Sequence, residues 1–187
     1  MKKPNVKMLI MSALMAAVIC VTAVISFKIG VIPITLALLG IFLTATMLEP
    51  KYAALSVVVY LLLGIIGVPV FSGMAGGLAK VMGPTGGFII GFVLGAIAAV
   101  LVLKAWKAPS SRVLGLVREY VAAFAFLAIS YVCGWAQLMA VAGMSPMAAF
   151  LAGIAPFILL DAIKIVIGVS LAHALRQAVP ALRRANA

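Results

Sequence analysis

Gly87-Phe-Ile-Ile-Gly-Phe-Val-Leu-Gly-Ala-Ile-Ala-Ala-Val-Leu-Val-Leu103 contains neither a charged side chain nor a proline. As a helix it covers most of a hydrocarbon core of about 30 Å. Gly87, Gly91, Gly95 and Ala99 recur every four residues and so form one stripe of small side chains along that helix. In lipid, where apolar burial does not drive helices together, such a stripe lets a second helix approach closely. The expected partner is another helix of the same chain.

Outward from this run, five further predominantly apolar stretches follow the same helical reading: about 8–27, 34–48, 52–66, 116–140 and 156–175. With 87–103 they predict an all-α integral membrane protein, one domain over 1–187 with six transmembrane helices. Composition agrees, since 67% of residues are hydrophobic and 9% charged, and the mean hydropathy is +1.35. A soluble domain this apolar would have too little polar surface to face water. The first stretch is longer than a secretory signal core and lacks a clean small-x-small cleavage site, so it is expected to stay in the mature protein. The second and third are short and are expected to be tilted or partly covered. Ser145 before Pro146 has the chemistry of a helix N-cap and first helical position, which predicts a short helix ahead of Pro156.

Fourteen Lys and Arg against three Asp and Glu give a formal charge of +11. The basic residues punctuate the ends of apolar runs rather than cluster with aromatics, so no nucleic-acid partner is expected; anionic membrane lipid is. With both termini cytoplasmic, the inner segments hold Lys2, Lys3, Lys7, Lys51, Lys104, Lys107, Arg112, Arg118, Arg176, Arg183 and Arg184, whereas the outer loops hold Lys28 and Lys80. That asymmetry sets the orientation and places the Gly-rich connection of 67–86 outside. Tyr52, Trp106 and Tyr120 then lie near inner boundaries, as an aromatic belt would.

One His and three carboxylates leave little material for hydrolysis, a metal cage or a proton relay, so neither catalytic nor metal-binding residues are expected. Cys20 and Cys133 stand singly in apolar segments and read as core residues. His173 reads as an interfacial side chain. Asp161 and Lys164 are an ionisable pair inside the sixth stretch, on one helix face at i and i+3. They either tie that helix to its neighbours or present an acceptor and a donor to a ligand, and intramembrane ionisable groups by default mark function. By the helical rise, Asp161 lies about 7–8 Å below Pro156, in the outer half. Above it, Phe71, Gly73, Gly76, Gly77, Gly83, Pro84, Thr85 and Gly86 belong to a connection that is either a flexible link or a loop whose main chain reaches a small ligand. It carries no phosphate-loop pattern, so the chain has nothing with which to hydrolyse ATP. Tyr131 and Trp135, four apart on one face, are either core or cavity wall. Ala13, Ala16 and Ala17 form a shorter small-residue face on the first helix, open to packing within the bundle or to docking of another subunit.

Tyr60-Leu-Leu-Leu-Gly-Ile-Ile-Gly-Val-Pro-Val-Phe71, Gly83-Pro-Thr-Gly-Gly-Phe-Ile-Ile-Gly-Phe92 and Pro156-Phe-Ile-Leu-Leu-Asp-Ala-Ile-Lys164, in this order, closely resemble the BioY family. These are the substrate-binding S components of energy-coupling factor (ECF) biotin transporters. The resemblance implies an S-component fold in a prokaryotic plasma membrane. It also implies that biotin is bound on the outward side, with Asp161 and Lys164 at positions associated with substrate and Thr35 in the Pro-x-Thr-Leu pattern. The expected partners are a transmembrane coupling subunit, docked on the Ala13/Ala17 face, and two ATPases, which alone use ATP; some members act alone. No cofactor is expected in this chain, biotin being substrate. Two positions depart from the pattern: Ala37 where Gln is frequent, and Phe88 where Tyr is usual. A stand-alone facilitator, or an S component for another vitamin, is the alternative reading.

Overall fold

The computed structural model describes residues 5–29, 32–106 and 111–178. Lys2, Lys3, Lys107, Arg183 and Arg184, used above to orient the chain, lie outside the described residues, as does the side chain of His173. The described chain is mostly helical, in the order α1 (Val6–Val24), β1 (Ser26–Ile29), β2 (Ile32–Thr35), α2 (Ala37–Met47), α3 (Pro50–Ile65), α4 (Leu78–Met82), α5 (Gly86–Ala105), α6 (Arg112–Ala142), α7 (Pro146–Gly153) and α8 (Ile158–Ala178).

Helices α1, α5 and α6 are each long and apolar enough to cross a membrane. Helices α7 and α8, bent by 44° at their junction, count as a fourth crossing if taken together. Helices α2 and α3, with 11 and 16 residues, are shorter. At 1.5 Å per residue α2 is about 16 Å long, roughly half a hydrocarbon core.

The largest interface joins α5 to α6, and the small-residue stripe explains it. Gly87, Gly91, Gly95 and Ala99 are all buried. A Cβ on Gly91 would stand 2.7 Å from Ser130 Cα, one on Gly95 2.7 Å from the Phe126 carbonyl oxygen, and one on Gly87 would overlap Cys133. The missing side chains therefore set the distance between the two backbones. Ser130 closes the seam by donating its hydroxyl to the Gly91 carbonyl at 3.1 Å and to the Phe126 carbonyl at 2.9 Å. At the far end Arg118 donates to the carbonyls of Trp106 and Leu103, satisfying C-terminal acceptors of α5.

Opposite this pair, α1 packs on α2 and α3, and α2 packs on α8. Ser12 donates to the Tyr52 carbonyl at 3.1 Å and Ser56 to the Ser12 carbonyl at 2.9 Å, so buried hydroxyls cross-link α1 to α3. On α1, Ala16 is buried while Ala13 and Ala17 face outward.

Between α1 and α2 the chain forms an antiparallel hairpin, Ser26 opposite Thr35 and Lys28 opposite Pro33. The apolar run read above as helix through Phe27 and again from Ile34 is here extended. Strands of four residues are too short to reveal their alternation inside a continuously apolar stretch. Beyond α6, Ser145 caps α7 as its position before Pro146 predicts, accepting from the Ala148 N–H at 3.3 Å.

Candidate functional site

A cavity of about 80 Å³ opens where the hairpin, α2, α3, α5, α6 and α8 converge. Asp161 stands in the first turn of α8, after a break in which Pro156 interrupts the chain between α7 and α8. A helix N-terminus is a favourable place for a carboxylate, because its free N–H groups carry partial positive charge. Lys164, one turn on, donates to Asp161 Oδ1 at 2.8 Å. Tyr131, from α6, donates its hydroxyl to Asp161 Oδ2 at 2.8 Å. Asp161 is 4% exposed and Lys164 9%. Burying two charges is costly unless they are paired and hydrogen-bonded, and here both conditions hold.

An ionised carboxylate accepts about four hydrogen bonds and an ammonium donates three. With one bond from Lys164 and one from Tyr131, Asp161 keeps acceptor capacity and Lys164 keeps donors. Both residues line the cavity. The site can therefore take a neutral ligand that offers an N–H and a carbonyl side by side.

Thr35, at the end of β2, and Thr85, at the N-cap of α5, line the same cavity, so five residues singled out from sequence converge there. Phe71 does not reach the lining. Its ring is fully buried against Tyr60, edge to face with centroids 5.6 Å apart, in a slot left by the missing side chain of Gly64. The neighbouring Ser72 faces the cavity instead. Gly73 and Gly77 take positive φ, at 73° and 89°, and both serve loop architecture: the Gly73 N–H donates to Ser26 Oγ at 2.9 Å, and the Gly77 N–H to the Gly64 carbonyl at 2.7 Å. Gly76 passes close to the Gly67 and Val68 carbonyls. Gly83 accepts from Gln137 Nε2 at 2.7 Å, Gly86 is buried between Val81 and Gln137, and Pro84 is exposed. Trp135 donates from Nε1 to the Pro146 carbonyl at 2.9 Å and lies outside the lining.

Ser130, Tyr60, Phe157 and the two departures, Ala37 and Phe88, also border the cavity. Tyr60 and Ser130 carry no mark in sequence that separates them from other core residues. The signal for Ala37 and Phe88 was their departure from the family pattern.

The BioY family model matches residues 1–181. A probable biotin transporter BioY from Pyrococcus horikoshii is 37% identical over 164 residues, 88% of this chain and 93% of the relative. The biotin transporter BioY from Thermotoga maritima is 34% identical over 179 residues, 91% of this chain and 96% of the relative. Among solved structures, the S component for biotin from an ECF-type ABC transporter superposes with a TM-score of 0.82 at 28% identity, covering 95% of this chain and 94% of that one. These relatives are transporters and not enzymes, and the apolar helices make the present chain a multi-pass membrane protein.

Proposed function

The chain belongs to the BioY family, and from that premise we propose that it is the biotin-binding S component of an uptake system, with Asp161 and Lys164 as its anchor. The observation that carries the reading is the buried Asp161, held by Tyr131 and Lys164 at the cavity wall with acceptor capacity to spare. Biotin offers two ureido N–H donors, a ureido carbonyl, an apolar bicycle and a valerate carboxylate. Asp161 accepts a ureido N–H and Lys164 donates to the ureido carbonyl. Thr35, Thr85 and Tyr131 border the ring, while the loop bearing Phe71, Gly73, Gly76 and Gly77 closes from above. A site built around such bonds rejects ligands that cannot make them, because its buried polar groups are then left unpaired.

The Gly73–Ser26 hydrogen bond ties the loop over the cavity to the hairpin.

The chain crosses the plasma membrane of a prokaryote six times, with both termini cytoplasmic. α2 contributes about half a crossing and the hairpin completes it. Ala13 and Ala17, exposed on α1, receive the coupling subunit, while Ala16 packs inward. Uphill uptake draws on ATP hydrolysed by two partner ATPases, and the chain carries no cofactor of its own.

The test is equilibrium binding to the purified full chain in detergent. Biotin binds tightly; dethiobiotin, which keeps the ureido group but lacks the fused bicycle, displaces it only at higher concentration; thiamine and riboflavin do not displace it. Displacement by thiamine or riboflavin at comparable concentration would assign another vitamin.

A further inference from the structure

Between α4 and α5 the chain turns at Gly83-Pro84-Thr85-Gly86. The Gly86 N–H donates to the Gly83 carbonyl at 3.0 Å, Pro84 takes the second place, and Thr85 has φ −96° and ψ −4°, close to the third residue of a type I turn. Thr85 is also the N-cap of α5. A threonine there ordinarily accepts from an N–H of the first helical turn. Thr85 makes no side-chain cap bond and instead borders the Asp161 cavity.

The turn is held from α6. Gln137, the one carboxamide side chain of that helix, donates from Nε2 to the Val81 carbonyl at 2.8 Å and to the Gly83 carbonyl at 2.7 Å. The first acceptor belongs to α4, a helix of five residues, too short to stand alone, whose last carbonyls find no partner within it. The second is the carbonyl that closes the turn. Gly86 and Gly87 make room for the contact: a Cβ on Gly86 would stand 2.7 Å from Gln137 Nε2, and one on Gly87 2.7 Å from Gln137 Cβ. A carboxamide among apolar helices is costly unless bonded, and here both of its donors are spent on main chain around the turn.

We propose that Gln137 is a positioning residue of the ligand site: its carboxamide clamps the turn to α6, so that Thr85 keeps its hydroxyl for the ligand rather than for the helix cap. The proposal rests on the biotin reading for its ligand. Gln137 does not itself border the cavity, so what it contributes to affinity passes through the turn. A hydroxyl held there can donate to a carbonyl or carboxylate oxygen, or accept from an N–H.

The test is a double-mutant cycle, read by calorimetric titration of biotin into the full chain in detergent. Thr85→Val removes the hydroxyl at nearly constant shape and weakens binding about fivefold, the worth of one neutral hydrogen bond. Gln137→Met keeps the length of the side chain, removes the donor and weakens binding by a similar factor. Because both act through one hydroxyl, the double variant binds at most about twofold more weakly than Thr85→Val alone. Tyr131 lies six residues before Gln137 on α6, about 9 Å away by helical rise, and acts on Asp161. In a Tyr131→Phe background, Gln137→Met therefore keeps its full effect. Gln137→Leu removes the same donor with a different shape and serves in place of a methionine variant that is not monodisperse. Monodisperse Gln137→Met or Gln137→Leu protein that binds biotin as tightly as wild type would overturn the clamp. So would losses that simply multiply when either is combined with Thr85→Val. Wild type that binds no biotin would instead overturn the reading on which the proposal rests.

Discussion

The α5–α6 seam and the Asp161 cavity lie side by side in one bundle and are built on opposite terms. Along the seam, Gly87, Gly91 and Gly95 bring backbone against backbone, and the one hydroxyl present, that of Ser130, is spent on carbonyls within the seam. At the cavity, α8 arrives after a break, short strands replace helix, and a buried carboxylate keeps unused acceptor capacity. The seam is a wall that leaves no room for adjustment. The cavity is where the fold tolerates space and charge, and α6 serves both, facing α5 with Ser130 and α8 with Tyr131.

The most damaging way to break this contrast is to put bulk into the seam. Gly91→Leu drives a side chain into Ser130, whose Cα would already be 2.7 Å from a Cβ. Overpacking costs about 1–3 kcal/mol even where neighbours can shift, and backbone cannot easily do so. The expected result is loss of monodisperse protein in detergent, or a melting point lowered by many degrees, read by thermal unfolding. A smaller effect follows from Tyr131→Phe, which keeps the ring and deletes the donor to Asp161 Oδ2. The carboxylate then meets the ligand without its α6 partner, and biotin affinity falls about tenfold. The lost bond to a charged group, worth about 1.5–3 kcal/mol, also lowers the melting point by a few degrees. Calorimetric titration reads the first quantity and thermal unfolding the second. The smallest effect belongs to Trp135→Phe. Its indole binds the Pro146 carbonyl outside the cavity, so stability falls by about 0.5–1.5 kcal/mol while biotin affinity stays within about twofold.

The seam was legible in sequence because it is periodic: small residues every four positions describe a helix face whatever lies opposite. Asp161 and Lys164 were legible because charge inside an apolar run stands out, and their i, i+3 spacing sets a common face. Ser145 before Pro146 announced a cap through local chemistry alone. Tyr131 as the second partner of Asp161 was not legible, since the contact joins residues thirty apart, and an aromatic four residues from Trp135 has no periodicity pointing to a carboxylate. Phe71 misleads in the same way. A ring in a glycine-rich loop looks ready for a ligand, but Gly64, on the helix before it, opens the slot that receives it. The hairpin of Ser26–Ile29 and Ile32–Thr35 hid inside continuous apolar sequence, where a short strand and a helix end have the same composition.

The measurement that bears most directly on the central claim is biotin affinity of Asp161→Asn beside wild type, with the folded fraction of each determined on the same preparation. The substitution keeps the shape of the side chain and removes its charge. Asp161 as the ligand's anchor predicts biotin affinity reduced at least about a hundredfold in protein that still elutes as a single species. Unchanged affinity in that folded variant would contradict it, and would make the pair with Lys164 a structural tie of α8 and nothing more.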